Sequence, residues 1–439
     1  MKKALLANGL FRAIMTLLMG GAVAQLVPLL LGPVLTRLYT PDAFGVFTSF
    51  TTIAATVAVV ACARYEFALP MARDDAEAAT LMALCLRIGL FVTSLTVPLA
   101  AVLHAWGKLP LPGLLPVAVA SAGLLQLLVM WNTWAKRYRA LAIGRVLQYG
   151  GAAVLQALLG WWLWQRQGQA AGVDAAWVLV VAPIAACVLA ALLLGRPSPA
   201  GGWRKALPPA PAAWAAELWQ NMRQAMRSYR DFPLLNTPHA FLGTAQDALA
   251  VALLVAWQGD AAGGFWGLAL RYLKAPATLV GAAVSQALYP RLAAAQPDAA
   301  RRMVRHVMLL LAAVALPLML ALLLAGPWLF ARVFGPGWRE AGELACALAP
   351  YIAAHFVAAP LAVVTMAWKA QRWAFHWALV GQLAFVAALA LGLRMGGILA
   401  GAWAVSAAMV AYFGVYFYRL ACWRDIPAPP AAEGGDNKA

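Results

Sequence analysis

Two sets of polar side chains stand in stretches that are otherwise Leu, Val, Ala and aromatic. Asn236, His239, Gly243, Gln246, Asp247 and Ala250 recur at helical spacing and share one face, an arc of roughly 100° at about 3.6 residues per turn. Arg271, Lys274, Thr278, Gly281, Ala282 and Ser285 share a similar face on the following apolar stretch. Arginine grips phosphate through a planar, bidentate fork, and lysine offers a point charge. Asp247 lies ten residues before the end of its stretch and Lys274 ten after the start of the next. Both therefore sit at a depth of roughly 15 Å, with Arg271 about one turn shallower. An Asp247–Lys274 pair is geometrically allowed. As Asp247 is the only acid expected deep in an apolar stretch, positive charge remains in excess. These residues either fix packing alone or line a cationic cavity for an anionic substrate, and the excess favours the cavity.

Other polar positions carry two readings each. Arg145, Gln148, Ala152 and Gln156 share a face that could line a pore, although Arg145 can also snorkel to the surface. Arg87, a turn or two inside its stretch, reads more readily as a snorkelling residue than as a ligand for the substrate. His355 is a packing histidine or a proton site. His239 shares the face of Asp247, which leaves a proton- or cation-linked role open. Cys62, Cys85, Cys187, Cys346 and Cys422 are scattered singly, with no CxxC pair and no disulfide framework. They read as small apolar packing residues, so no metal site and no cofactor are expected.

The elements that must position these groups follow from composition. Of 439 residues 64% are hydrophobic and 11% charged, against about 25% charged in an average soluble chain. A cytosolic enzyme, a disordered chain and a disulfide-stapled secreted domain are excluded. A bilayer core is spanned by roughly 20 apolar residues. Twelve stretches qualify: 13–36, 44–63, 80–104, 113–134, 146–165, 175–194, 233–257, 264–288, 305–325, 342–366, 373–393 and 397–418. The net charge of +17 then sorts by side. With both termini cytoplasmic, Arg37, Lys108, Arg166, Arg332, Arg339 and Arg394 fall outside and Arg87, Arg271 and Lys274 fall within spans. The remaining Lys and Arg are cytoplasmic, as the positive-inside rule requires. Nucleic-acid binding is excluded, because the charge lies on alternate loops and no basic soluble domain exists. Lys2-Lys3 with Ala22-Val23-Ala24 imitates a signal peptide, but the apolar run continues to Leu35, so a retained first helix is expected. The expected organisation is a six-helix lobe at 1–195, a basic cytoplasmic linker at 196–232 that includes Arg204 and Lys205, a second six-helix lobe at 233–420, and a disordered cytoplasmic tail at 421–439.

The two blocks echo each other. Asp42-Ala43-Phe44-Gly45-Val46-Phe47 is answered by Asp260-Ala261-Ala262-Gly263-Gly264-Phe265, and Leu69-Pro70 before Asp75 by Tyr289-Pro290 before Asp298. Met130-Trp131 with Lys136-Arg137 is answered by Met366-Ala367-Trp368-Lys369. Six spans per repeat make the halves parallel, an arrangement in which sites lie between the halves near mid-membrane. Pro28, Pro98, Pro183, Pro276, Pro317, Pro350 and Pro360 fall inside spans, where they can kink helices.

The stretch Leu35-Thr36-Arg37-Leu38-Tyr39-Thr40-Pro41-Asp42-Ala43-Phe44-Gly45 resembles the first-loop signature of the polysaccharide biosynthesis, O-antigen (Wzx-type) flippases, in the multidrug/oligosaccharidyl-lipid/polysaccharide (MOP) exporter superfamily. Arg64-Tyr65-Glu66-Phe67-Ala68-Leu69-Pro70 resembles it too, as do Gly263 to Tyr272 with Pro276, and Gly281 to Gln286. The resemblance runs over all spans and is strongest at 30–80 and 230–300. It implies two six-helix lobes and alternating access, with no catalytic residues. The implied substrate is an undecaprenyl-diphosphate-linked oligosaccharide, moved from the cytoplasmic to the periplasmic leaflet of a bacterial inner membrane. It places a cationic interior on Arg271 and, by position, on Lys274. A polysaccharide polymerase and a chain-length regulator would be partners besides membrane lipids. Coupling to a proton or sodium gradient stays open, and no family motif matches Asp247. A multidrug or cation antiporter of the same fold is the alternative, disfavoured by the basic interior. A membrane polymerase or ligase is disfavoured by the short outer loops.

Overall fold

The computed structural model describes residues 2–168, 170–196, 212–423 and 426. Arg204 and Lys205 of the linker, and the tail from 427 onward, lie outside the described residues. The described chain is helical, and its one extended contact is a parallel bridge between Tyr39 and Ala171.

The first helices are α1 (Lys2–Leu38), α2 (Pro41–Ala58), α3 (Asp75–Ala105) and α4 (Leu114–Trp134). A helix in three parts follows: α5 (Tyr138–Arg145), a π-helical turn over Val146–Gly151, and α6 (Ala152–Gln167). After α7 (Ala176–Leu194) comes the linker helix α8 (Ala212–Ser228). A second π-helical turn, Phe232–Asn236, leads into α9 (Thr237–Gln258). The rest comprises α10 (Asp260–Ala294), α11 (Pro297–Phe334), α12 (Arg339–Ala367) and α13 (Gln371–Ala421). The expected stretches fall largely on helix, although 44–63 runs past the end of α2 into the turn after Ala58, and the last two lie on α13, where Gly396 and Gly397 leave helical geometry. Gly397 has φ 73°, a conformation glycine adopts without a steric cost. Among the described residues, eight helices are long and apolar enough to cross a membrane: α1, α3, α4, α7, α9, α11, α12 and α13. Their outward faces are apolar, with Leu324 85% and Leu90 71% exposed. An aqueous protein does not leave so wide an apolar surface open, whereas lipid accepts it.

Local chemistry explains the helix ends. The Thr40 side chain accepts from the Ala43 amide at the start of α2, and Pro41 follows where no amide is needed. Asp74 accepts from the Glu77 amide at 2.7 Å, while Glu77 accepts from the Arg73 amide at 2.8 Å, a reciprocal cap for α3. The echo between blocks becomes a shared turn. At the end of α4 Lys136 has φ 56°, and at the end of α12 Lys369 has φ 55°. The Arg137 amide reaches back to the Asn132 carbonyl at 2.9 Å, and the Ala370 amide to the Thr365 carbonyl at 2.8 Å. Both are Schellman-type closures with lysine in the left-handed position.

The chain divides into two compact units, Met1–Gly264 and Phe265–Ala439. Within the first, the linker helix α8 docks on α3. Met222 and Ala225 are buried among Leu81, Met82 and Trp131. The Tyr65 hydroxyl donates to the Met226 carbonyl, and the Tyr229 hydroxyl to Glu77 at 3.0 Å. Also within this unit, the start of α2 meets the first turn of α10. A Cβ on Gly45 would run into the Asp260 carbonyl, and one on Gly264 into the Pro41 carbonyl. The second unit has its own core, in which Val304, Leu361, Val364 and Leu420 are fully buried.

Candidate functional site

Helix α10 supplies the cations. In the second unit Trp266, Ala269, Leu273 and Ala277 form its buried face. Arg271 and Lys274 lie on the adjoining face, both half-buried. Proline at 276 carries no amide, so the Tyr272 carbonyl four residues earlier loses its helical donor between the two cations. The Thr278 hydroxyl donates to the Lys274 carbonyl at 3.0 Å. The Ser285 hydroxyl donates to the Pro360 carbonyl at 3.1 Å and ties α10 to α12. The Tyr272 ring meets Phe334 of α11 edge-on at 4.6 Å.

Helices α12 and α13 add polar atoms that sequence reasoning passed over or left open. His355 lies between the rings of Tyr351, at 5.9 Å, and Phe413, at 6.2 Å. Its Nδ1 is buried without a hydrogen-bond partner, and the Lys274 charge acts on it. Gln382 Oε1 and Trp377 Nε1 are likewise buried without partners. An aromatic ladder holds these groups. Trp266 packs on Phe385 and Phe385 on Tyr351, while Tyr412 stacks on Trp377 at 5.2 Å and Trp377 on Trp373 at 6.1 Å. Gln382 and Trp377 gave no sequence signal, since a lone glutamine or tryptophan in an apolar stretch has no periodic partner. The described acids of this unit, Asp298, Glu340 and Glu343, lie in the first two turns of α11 and α12. Asp298 pairs with Arg301 and Glu343 with Arg339, each along its own helix. A cleft of about 500 Å³ lies elsewhere in the unit, between the ends of α10 and α12 and the break in α13, lined by Phe265, Arg339, Glu340, Glu343 and Ile398 among others.

The first unit distributes the remaining candidates. On the α9 face Gln246 and Asp247 are half-buried, while His239, and Asn236 just before it, are exposed. That helix packs on α2, where the Thr56 hydroxyl donates to the Thr244 carbonyl at 3.0 Å. Asp247 belongs to this unit and Lys274 to the other. Gln156 is buried, and its amide donates to the Leu179 carbonyl at 2.8 Å, so it is spent on joining α6 to α7. Gln148 is half-buried near Cys187, and Arg145 is exposed with its guanidinium beside Gly21. Arg87 points at Met222 of the linker helix, its Nη1 3.2 Å from the sulfur.

Several motif residues of the first loop make packing or hydrogen-bond contacts. The Tyr39 hydroxyl donates to the Gln156 carbonyl at 2.9 Å, and its ring packs edge-on against Phe44 at 6.4 Å. Pro41 and Gly45 form the contact with α10, while Arg37 is exposed. Arg64 has φ 63° and lays its guanidinium over the Phe67 ring at 4.9 Å. Glu66 is buried.

This helical arrangement is that of the MOP-superfamily transporters. An inward-facing MATE-family multidrug transporter of that superfamily superposes with TM-score 0.67 at 12% identity, covering 90% of this chain and 93% of the other. The lipid II flippase MurJ, inward closed, superposes with TM-score 0.64 at 10% identity, covering 93% and 90%. A MATE transporter of Vibrio cholerae gives 0.55 at 15%, covering 95% and 96%. Residues 219–343 match the family described as polysaccharide biosynthesis protein, and that segment contains Asp247, Arg271 and Lys274. The family match covers residues 219–343, the fold is one shared with solved MOP-superfamily transporters, and the long apolar helices are those of a multi-pass membrane protein. A search of curated proteins finds no matching relative.

Proposed function

We propose that the protein flips a lipid-linked oligosaccharide joined through a diphosphate, of the undecaprenyl type, from the cytoplasmic to the periplasmic leaflet of a bacterial inner membrane. One observation carries the reading: Arg271 and Lys274 sit one turn apart and half-buried in mid-helix, in a unit whose described acids stay at helix starts. A cation placed mid-membrane costs roughly 2.5–3.5 kcal/mol on the insertion scale, a cost that an anionic cargo offsets. In this reading the headgroup enters a wet cavity and the lipid tail stays in the bilayer. Arg271 and Lys274 hold the diphosphate, while His355, Gln382 and Trp377 offer hydrogen bonds to sugar. Flipping makes and breaks no covalent bond, so alternating access suffices without catalytic residues. The basic interior disfavours a multidrug antiporter, whose cationic cargo needs acids. For coupling we assign Asp247 as the proton- or sodium-responsive group, with a polymerase and chain-length regulator acting on the delivered cargo.

The test is leaflet distribution of lipid-linked oligosaccharide in cells carrying only Arg271→Ala/Lys274→Ala, with expression and monodispersity verified. Accumulation on the cytoplasmic side is expected. Wild-type delivery by the double variant overturns the cationic site, and delivery indifferent to both proton and sodium gradients overturns the coupling.

A further inference from the structure

Cys62, Glu66 and Cys85 come together in the first unit. The two Sγ atoms and a Glu66 carboxylate oxygen all lie within 4.8 Å of one another, and all three side chains are buried. Two elements bring them there. Cys62 and Glu66 flank Ala63 and Arg64, whose φ values of 47° and 63° turn the chain sharply into the 3₁₀ helix Tyr65–Met71. Cys85 arrives from the buried face of α3. A second observation is independent of the clustering: Glu66 is 4% exposed, yet its Oε2 has no hydrogen-bond partner. A buried carboxylate oxygen without a donor is costly unless something neutralises the group. Burial pushes the Glu66 carboxyl above the usual range, with a backbone hydrogen bond and then the Arg64 charge pulling the other way.

We propose that Cys62, Cys85 and Glu66 form a binding site for a thiophilic divalent cation, zinc being the best match. Zinc–sulfur bonds of about 2.3 Å and zinc–oxygen bonds of about 2.0–2.2 Å put tetrahedral ligand atoms roughly 3.5–4 Å apart, so small side-chain shifts close the site. Water or a backbone carbonyl takes the fourth position. On binding, each thiol releases its proton to solvent. Two thiolates and one carboxylate against a dication leave one negative charge, which the nearby Arg64 guanidinium offsets. The site lies on the side that the charge pattern makes cytoplasmic, where thiols stay reduced. It would clip the α2–α3 connection to α3, beside the Tyr65 contact that holds the linker helix.

The experiment uses the full-length protein purified in detergent under reducing conditions. Cobalt titration of the wild type is expected to give sulfur-to-cobalt charge-transfer absorption saturating at one equivalent per chain, displaced by one equivalent of zinc. Cys62→Ser/Cys85→Ser should retain less than about a tenth of the metal, while Cys187→Ser retains all of it. Glu66→Gln should keep the charge-transfer band but release metal at lower chelator concentration. If the double variant does not fold, the wild-type titration decides alone. Absence of the band in reduced wild type, equal metal in a folded double variant, or a Cys62–Cys85 disulfide in protein from the reducing cytoplasm each overturns the site. Loss of flipping without loss of metal would bear on the proposed transport alone.

Discussion

Helices α2 and α10 occupy corresponding places in the two blocks and begin with the same chemistry. Asp42 matches Asp260 and Phe47 matches Phe265. By the same offset Ile53 matches Arg271 and Thr56 matches Lys274. On α2 three threonines satisfy themselves, Thr48, Thr52 and Thr56 donating to the carbonyls of Phe44, Thr48 and Thr52, while the Ser49 hydroxyl is buried without a partner. Such threonines cost little in lipid, because their hydrogen bonds stay within the helix. On α10 the counterparts of Ile53 and Thr56 carry full charges, while those of Thr48 and Thr52 are Trp266 and Leu270. What the two helices share is turn chemistry, which builds the fold. Where they differ, α10 carries two half-buried cations in mid-helix.

The comparison can be broken most severely by exchanging the charges. Arg271→Ala/Lys274→Ala should abolish delivery, at least about a hundredfold if two charge-assisted contacts of about 1.5–3 kcal/mol each are lost, without lowering expression. Thr56→Lys should not restore transport to that variant and should lower yield, since α2 gains a charge and loses the Thr244 contact. Delivery restored by Thr56→Lys in that variant would erase the distinction between the helices.

Next in size is the contact that the two starts make. Gly45→Ala and Gly264→Ala each push a methyl into a backbone carbonyl and should destabilise by about 1–3 kcal/mol or more, read as a fall in melting temperature. Gly263→Ala, whose tight contact is the Val255 side chain and which meets the Gly45 backbone only at ordinary contact distance, should fall less. Smaller still, Lys136→Gly and Lys369→Gly should each stabilise by about 1 kcal/mol by relieving a left-handed lysine. A rise at one turn only would show that the two turns are not energetically equivalent.

The smallest effect concerns pH. Burial, and then the Asp42 charge, push the Asp260 carboxyl above its ordinary value. A carboxyl raised in the fold favours the protonated state, so its contribution is present at low pH and lost as pH rises through the folded value. Melting temperature should therefore rise slightly on moving from neutral pH toward the ordinary carboxylate range. Asp260→Asn should flatten that slope, and an unchanged slope would remove the repulsion.

Much of the helix pattern was legible because apolar length and turn residues are local signals. The Asp42 and Asp260 loops, and the Lys136 and Lys369 turns, could be matched by eye, and the geometry of the two lysine turns agrees. Arg271 and Lys274 were legible because charge in an apolar stretch is conspicuous. Gln156 was less so: wheel position alone cannot tell a pore-lining amide from one that bonds a neighbouring helix. The Cys62–Glu66–Cys85 cluster was invisible, since its members are separated in sequence and meet only when α3 packs back on the turn after α2. The break at Gly396–Gly397 was legible: spacing separates 373–393 from 397–418, and α13 leaves helical geometry between those two stretches.

Gly45 and Gly264 carry one more consequence. Every codon change that replaces a glycine adds heavy atoms, and here those atoms have nowhere to go. In a saturation library scored only by growth, both positions would tolerate nothing and would rank beside Arg271 as if they touched cargo. A parallel readout of folded protein would separate them: the glycines would lose abundance, while the arginine would lose activity at full abundance.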